Sequence, residues 1–395
     1  LRGRSDRNSK GKKTMKILFI RSSIGFGGAE AYSLNLFKGV KKLGLDWQIG
    51  FITNHKFFAE KLRKLGVETK LVSVSGEELG TKKSFLHFLL TCPFFLLKYL
   101  RTFRSLSGDF EVVCLQSGTE KIALTLFLRL WGKKVVWLEH GPVFAFKKFW
   151  LANFLYLQIS RLVSLILTVS NQAGEDLINE GVRREKVVSV QTGIDVDFFS
   201  PLSQRGNFVM REKLNFKEDD FVVGFMGAVC FEKGIKEFLE VASALIKKDS
   251  SFKFLIVGEG SELSWAKKQV DKNCFVFTGF KEEVGPFLGA MNLFFFPTNH
   301  LEGLSLTLME AMALEKLVLV KDIGGNGELV TNKETGYLYS NQNVSYLVSL
   351  ITKIKKEKTL SRKMGQSARE KMVKDFNLDD WVKKLDCYFK EVING

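Results

Sequence analysis

The sequence predicts an α/β protein built from two doubly wound parallel-sheet domains that face each other across a cleft. Three observations carry this expectation. Short apolar, β-branched runs alternate with helical patterns, as in βαβ units whose helices cover both faces of a parallel sheet. The series fades near residue 190 and restarts at 222. Glycine-rich turns follow the strands, where open parallel sheets bind their ligands. A length of 395 residues suits two domains, each able to bury most of its surface.

The first strand is 16–21, KILFIR, apolar enough to be buried on both faces. A Gly-rich turn, a helix over 29–43 and a strand at 47–52 follow. Further strands are expected at 69–73, 111–115, 134–138, 164–169 and 187–190, mostly separated by helical patterns. Residues 192–220 are mixed and turn-rich and read as a linker. The second series has strands at 222–226, 253–257, 274–278, 293–296 and 317–320. Residues 1–14 are basic and polar, without the apolar core of a signal peptide, and are expected to be a disordered leader outside the fold.

Composition narrows the function. The chain is 45% hydrophobic and 26% charged with 5 prolines, which excludes collagenous and wholly disordered classes. The net charge is +16, and residues 1–200 hold 31 Lys and Arg against 17 Asp and Glu, so the first half carries nearly all of it. Such a field attracts anionic lipid, nucleic acid or phosphorylated ligands. Cys92, Cys114, Cys230, Cys274 and Cys387 are odd in number and dispersed, which fits neither a disulfide framework nor a zinc site and suits a reducing cytoplasm. The apolar runs 84–97 and 149–160 are short for a bilayer span of about 20 residues. They read as spans, as core-facing helices or as membrane-surface helices; basic flanks and the positive first half favour the last.

The chemistry-bearing motifs sit after strands. Gly25-Phe26-Gly27-Gly28-Ala29-Glu30 opens the first helix and resembles a dinucleotide fingerprint, but Glu30 stands where the third glycine belongs. Glu139-His140-Gly141-Pro142 ends the strand KVVWL, which makes His140 a site candidate, while His55, His87 and His300 lack such a setting. Asp195-Val196-Asp197 resembles an acidic metal pair but reads as a capping turn. Gly227 through Lys233-Gly234 follows the strand VVGFM and offers an ammonium and amide donors to a diphosphate. Gly258-Glu259-Gly260 follows KFLIV as another close-approach turn. The strongest feature is Glu302-Gly303-Leu304-Ser305-Leu306-Thr307-Leu308-Met309-Glu310. It sets amides at a helix N-terminus between two carboxylates, suited to an anionic ligand that also carries hydroxyls. Gly324-Gly325-Asn326-Gly327-Glu328 follows the strand LVLVK.

Taken together and in order, these residues resemble the retaining GT-B glycosyltransferases of family 4. The parts are Gly27 to Glu30, His140, the turn Gly193-Ile194-Asp195, Lys233-Gly234, the E-x7-E pair Glu302/Glu310 and the Gly-Gly-x-x-Glu turn ending at Glu328. The resemblance implies two Rossmann-like domains, an acceptor-side one at 15–200 and a nucleotide-sugar-binding one at 201–378. It also implies that the closing helix, 379–395 with Trp381 and Tyr388, returns to the first domain. By the same resemblance Glu310 binds the ribose hydroxyls and Lys233 the diphosphate. Glu302 and the backbone of Gly303, Leu304, Ser305 and Leu306 hold the sugar, His140 approaches it from the other domain, and the surroundings of Phe280 meet the base. Gly27 and Gly28 let acceptor and phosphate come close; Gly227 and Gly258 belong to the donor side. Ala228 and Glu232 stand where the family often has Arg, which leaves the phosphate clamp one cation short and is expected to weaken donor affinity. Thr192 replaces the usual Asn at a structural turn.

The implied activity is a retaining, metal-independent hexosyl transfer, with no cofactor, from a UDP- or GDP-sugar to a lipid-linked or envelope-glycan acceptor. The location implied is the cytoplasmic face of the membrane, held peripherally through the basic first half, with no nucleic-acid partner. A nucleotide-sugar epimerase on the same fold, or a catalytically silent relative kept as a binding protein, are the alternatives. The oligomeric state, sugar, acceptor and linkage are left open.

Overall fold

A computed structural model of the chain describes residues 14–23, 25–74, 81–141, 149–201 and 204–395. All of the expected leader but Thr14 lies outside the described residues, as do Ile24, Pro142, Lys147 and Lys148. The first sheet comprises β1 (Met15–Arg21), β2 (Trp47–Thr53), β3 (Glu68–Leu71), β4 (Val112–Leu115), β5 (Lys134–Glu139), β6 (Leu165–Thr168) and β7 (Val187–Ser189), in the order β3-β2-β1-β4-β5-β6-β7. The second comprises β8 (Phe221–Met226), β9 (Phe252–Val257), β10 (Phe275–Phe277), β11 (Leu293–Phe296), β12 (Leu317–Lys321) and β13 (Tyr337–Tyr339), in the order β10-β9-β8-β11-β12-β13. Every pairing in both sheets is parallel.

The expected strands form within a residue or two of their anticipated ends. Their apolar runs are buried because helices cover both faces: Val112–Leu115 and Leu293–Phe296 are buried at every residue. Two features differ from expectation. The strand β13 carries only three residues between turns, too short for an alternation pattern to mark it. The stretch read as a linker contains the helix Gln204–Lys213, whose Arg211 donates to Asn292 Oδ1 (3.1 Å) and to the Asp220 carbonyl (2.5 Å), tying it to the second sheet. Its Asp195 is a turn former: Oδ1 accepts from the Asp197 and Phe198 amides at 3.2 and 3.0 Å.

In each sheet the strand order reverses once, between β1 and β4 and between β8 and β11. At these switch points neighbouring crossovers leave to opposite faces and open a crevice at the carboxyl ends. The helix Leu378–Asn394 buries Trp381, Val382, Leu385 and Phe389 in one cluster with Leu36, Phe37 and Val40 of the helix Gly28–Lys42. Each such side chain contributes about 1.5–3 kcal/mol of burial. Trp47 Nε1 donates to Asp386 Oδ1 (2.8 Å), and the backbone of Ile194 bonds to Phe376 and Leu378, so the two chain crossings run side by side.

Candidate functional site

The second domain supplies a cation, a carboxylate and a set of amides. Lys233 lies in the loop after β8 and its ammonium bonds Glu302 Oε1 in the loop after β11. The two loops are pinned together, because the Asn299 amide donates to the Glu232 carbonyl (2.8 Å). Gly234 makes this approach possible. Its φ is +83°, and a Cβ there would lie 1.8 Å from the Pro297 carbonyl oxygen. Gly234→Ala is expected to lower stability by about 2–4 kcal/mol or to displace Lys233; a melting curve and the nucleotide affinity of the variant check this.

The turn after β12 supports the same backbone from behind. The Gly325 amide donates to the Glu302 carbonyl (3.0 Å), and a Cβ on Gly325 would fall 1.6 Å from the Gly303 carbonyl. On its other side Gly303 meets the first domain: a Cβ there would lie 2.3 Å from Val169 Cγ2 and 2.6 Å from the His140 carbonyl. The cleft walls therefore touch at Gly303 and His140. Ser305 caps the helix Leu306–Ala313, its hydroxyl accepting from the Leu308 amide (3.5 Å), and Leu304 is packed into the core. Only the backbone of these two residues is left to face a ligand.

Glu310 follows on that helix, half-buried, and no side-chain partner is found for it among the described residues. Burial pushes its carboxyl up to about 8. Gly227, at φ +141°, has open space beside it, whereas Gly258 packs on the Gly227 carbonyl and serves the turn. Phe280 follows the Gly279 turn and is 48% exposed.

The first domain supplies the facing wall. Gly27 donates its amide to Glu30 Oε2 (2.8 Å), and Arg21 Nε donates to Glu30 Oε1 (2.5 Å). The glutamate that breaks the dinucleotide pattern thus holds the loop, and Gly28 begins the helix with open space beside it. His140 Nε2 lies 3.2 Å from Gln116 Oε1, and its ring meets Tyr32 edge-on at 4.9 Å. Burial, reinforced by the charges of Arg21 and Lys121, lowers the His140 pKa well below the usual value, so the imidazole is neutral at pH 7. Beneath it, the fully buried Lys121 pairs with Glu139 (2.7 Å) and donates to the Leu138 carbonyl (2.8 Å), while Tyr156 donates to Glu139 (2.7 Å).

Sequence reasoning missed several members of this site. Arg21 and Gln116 sit at or just past the carboxyl ends of β1 and β4, a signal the strand-end rule could have used. His300 lacks a strand-end setting in sequence, yet burial and the neighbouring Lys233 charge lower its pKa. Glu328, expected only as the end of the Gly-Gly-x-x-Glu turn and given no role there, acts between domains: it accepts from the amides of Asn171 (3.1 Å) and Gln172 (2.7 Å), which open a first-domain helix, and from Gln191 Nε2 (2.6 Å). His55 is structural, its ring nitrogen accepting from the Phe58 amide (3.2 Å). Among the described residues no group of three or more His, Cys, Asp or Glu is placed to hold a metal ion.

Two facing parallel sheets, with an acidic-basic pair and a helix N-terminus on one wall and a neutral histidine on the other, are the architecture of the GT-B fold. Family comparisons agree. The model for glycosyl transferases group 1 matches residues 207–371, and that for glycosyltransferase family 4 matches 26–198. The chain belongs to the family 4 type of GT-B glycosyltransferases, and it is a glycosyltransferase.

It is 27% identical over 300 residues to the Escherichia coli UDP-Gal:alpha-D-GlcNAc-diphosphoundecaprenol alpha-1,3-galactosyltransferase, covering 72% of this chain and 76% of that enzyme. It is 23% identical to the Campylobacter jejuni N,N'-diacetylbacillosaminyl-diphospho-undecaprenol alpha-1,3-N-acetylgalactosaminyltransferase, covering 79% and 83%. With the Staphylococcus aureus capsular polysaccharide biosynthesis glycosyltransferase CapM it shares 25% identity, covering 54% of this chain and 57% of that protein. Among solved structures, Anabaena HepE in complex with UDP superposes with a TM-score of 0.78 at 17% identity, covering 95% of this chain and all of that one.

Proposed function

We propose that the protein transfers a hexose from a nucleoside diphosphate sugar to a lipid-linked envelope-glycan acceptor, with retention at the anomeric carbon and without a metal ion. The observation that carries this reading is the Lys233–Glu302 ion pair set beside the unpartnered Glu310. Lys233 and the amides opening the helix Leu306–Ala313 stabilise the negative charge that grows on the departing diphosphate. Glu310 accepts from the ribose hydroxyls. Glu302 and the Gly303 backbone hold the sugar near the bond that breaks, and neutral His140 hydrogen-bonds the sugar or acceptor without adding charge. The base lies toward Phe280, and Gly27, Gly28 and Gly227 leave room for acceptor and phosphates. The relatives that act on undecaprenyl diphosphate-linked sugars support the acceptor class, and the UDP-bound neighbour favours UDP over GDP.

A thermal-shift panel with UDP, GDP, ADP, dTDP and CMP tests the donor site. A ligand at 100 times its Kd adds about 2.7 kcal/mol of stability, so a selective shift with UDP is expected. No shift with any of them would favour a silent relative whose clamp, with Ala228 and Glu232 in place of arginine, no longer holds a donor. Turnover is expected to persist in excess chelator, since Lys233 and the helix amides supply the charge. Chelator-sensitive turnover restored by a divalent cation would remove the metal-free part of the proposal.

A further inference from the structure

The first domain leaves an apolar face open beside the cleft. Helix Lys82–Arg104 buries Phe85, Phe88, Phe95 and Tyr99 and turns its other side to solvent, where Leu90 is 82% and Phe94 58% exposed. The apolar run read from sequence thus serves the core with one side only. Helix Trp150–Ser160 lies beside its start, the Phe149 ring meeting Phe85 at a 55° tilt with centroids 5.1 Å apart, and exposes Trp150 and Phe154. No helix among the described residues is long and apolar enough to cross a membrane.

Charge and position single out one occupant for this face. Residues 79–108 and 140–174 contain no Asp or Glu, while Lys82, Lys83, Arg101 and Arg161 are exposed around the apolar side chains. Tyr99 bonds Glu120 (2.7 Å) and Tyr156 bonds Glu139 (2.7 Å), two carboxylates at the carboxyl edge of the sheet. Both helices run back across the sheet from that edge, so the residues before each tyrosine reach outward on the side where the cleft opens. Leu, Phe and Trp ringed by Lys and Arg, with no carboxylate in either segment to repel phosphate, suit the acyl boundary and headgroups of a bilayer.

We propose that this face docks on an anionic lipid surface, with Leu86, Leu90, Phe94, Trp150 and Phe154 entering the acyl boundary and the surrounding Lys and Arg meeting phosphate headgroups. Docking there turns the cleft toward the lipid, where an acceptor diffusing in the bilayer enters it. That last step rests on the lipid-linked acceptor proposed above; the docking itself does not.

Flotation with vesicles of phosphatidylcholine alone, and of equimolar phosphatidylcholine and phosphatidylglycerol, tests it on the native protein and on the double variant Leu90→Ser, Phe94→Ser. The native protein is expected to float with the anionic vesicles and far less with the neutral ones. The double variant is expected to lose about tenfold or more of that binding while keeping the native thermal shift with UDP. Native protein that ignores anionic vesicles, or a variant that floats as well as native, would overturn the proposal. So would a native dimer, seen by light scattering, that the double variant breaks while neither protein binds vesicles. Vesicle binding without any nucleotide shift would instead count against the donor site and leave the docking face standing.

Discussion

Lys233→Ala and Glu302→Ala are each expected to lower turnover more than tenfold, a barrier increase of about 1.4 kcal/mol or more. The two variants differ in how they do it. Removing Lys233 leaves the Glu302 carboxylate facing the diphosphate without its counter-charge, so donor affinity falls along with turnover. Removing Glu302 frees Lys233, so affinity for a nucleoside diphosphate holds or rises while the sugar loses its anchor. Steady-state kinetics read beside UDP binding separate these outcomes. Near-normal turnover in both variants, with melting temperatures unchanged, would remove the assignment of this site. The absence of arginine at Ala228 and Glu232 sharpens the expectation, since no second cation of the usual clamp takes over when Lys233 is lost.

Glu310→Gln is expected to stabilise the empty protein and to weaken nucleotide binding. Burial raises the Glu310 carboxyl to about 8 from an ordinary 4.5. A carboxyl whose folded value is raised favours folding while both states are protonated, below about 4.5, and loses that advantage as the pH climbs toward 8. At pH 8 the cost is of the order of 4 kcal/mol. Glutamine is never ionised, so the variant should melt several degrees above the native protein at pH 8, with the gap shrinking near pH 5.

Nucleotide binding moves the other way. Ribose hydroxyls donate better to a carboxylate than to an amide, so the variant should bind UDP about tenfold or more weakly. In the native protein those donors favour the ionised form, so affinity should rise from pH 6 toward pH 8 with a proton released. Calorimetry in buffers of different ionisation heat measures that proton. A flat pH profile and an unchanged UDP affinity in the variant would take the ribose role away from Glu310.

Much of the architecture was legible because it is written in short-range pattern. Runs such as KILFIR, KVVWL and LVLVK are strand-length and apolar throughout, and the turns that follow them carry glycine. The Lys233-Gly234 and Glu302/Glu310 motifs were readable for the same reason, since each is a local spacing on one loop or helix. The stretch 192–220 was misread because the helix Gln204–Lys213 is polar and is held by Arg211 reaching Asn292, a contact 81 residues away in sequence. Glu328 carried no sign of its role, because the amides it caps belong to the other domain.

By itself the sequence determined the two parallel α/β domains and the order of the motifs, because local hydrophobic period and turn chemistry encode elements directly; the glycosyltransferase family followed from the resemblance of those ordered motifs to known members. Tertiary structure alone decided the strand orders that put the motifs at two switch points. It decided the pairing of Lys233 with Glu302 across 69 residues, the packing of Gly303 against His140, and the use of the Leu304 and Ser305 side chains for core and cap. It also decided the charge state of the site. The Glu310 carboxyl and the His140 imidazole are shifted by desolvation, and how much water a group loses depends on atoms brought to it from the whole fold.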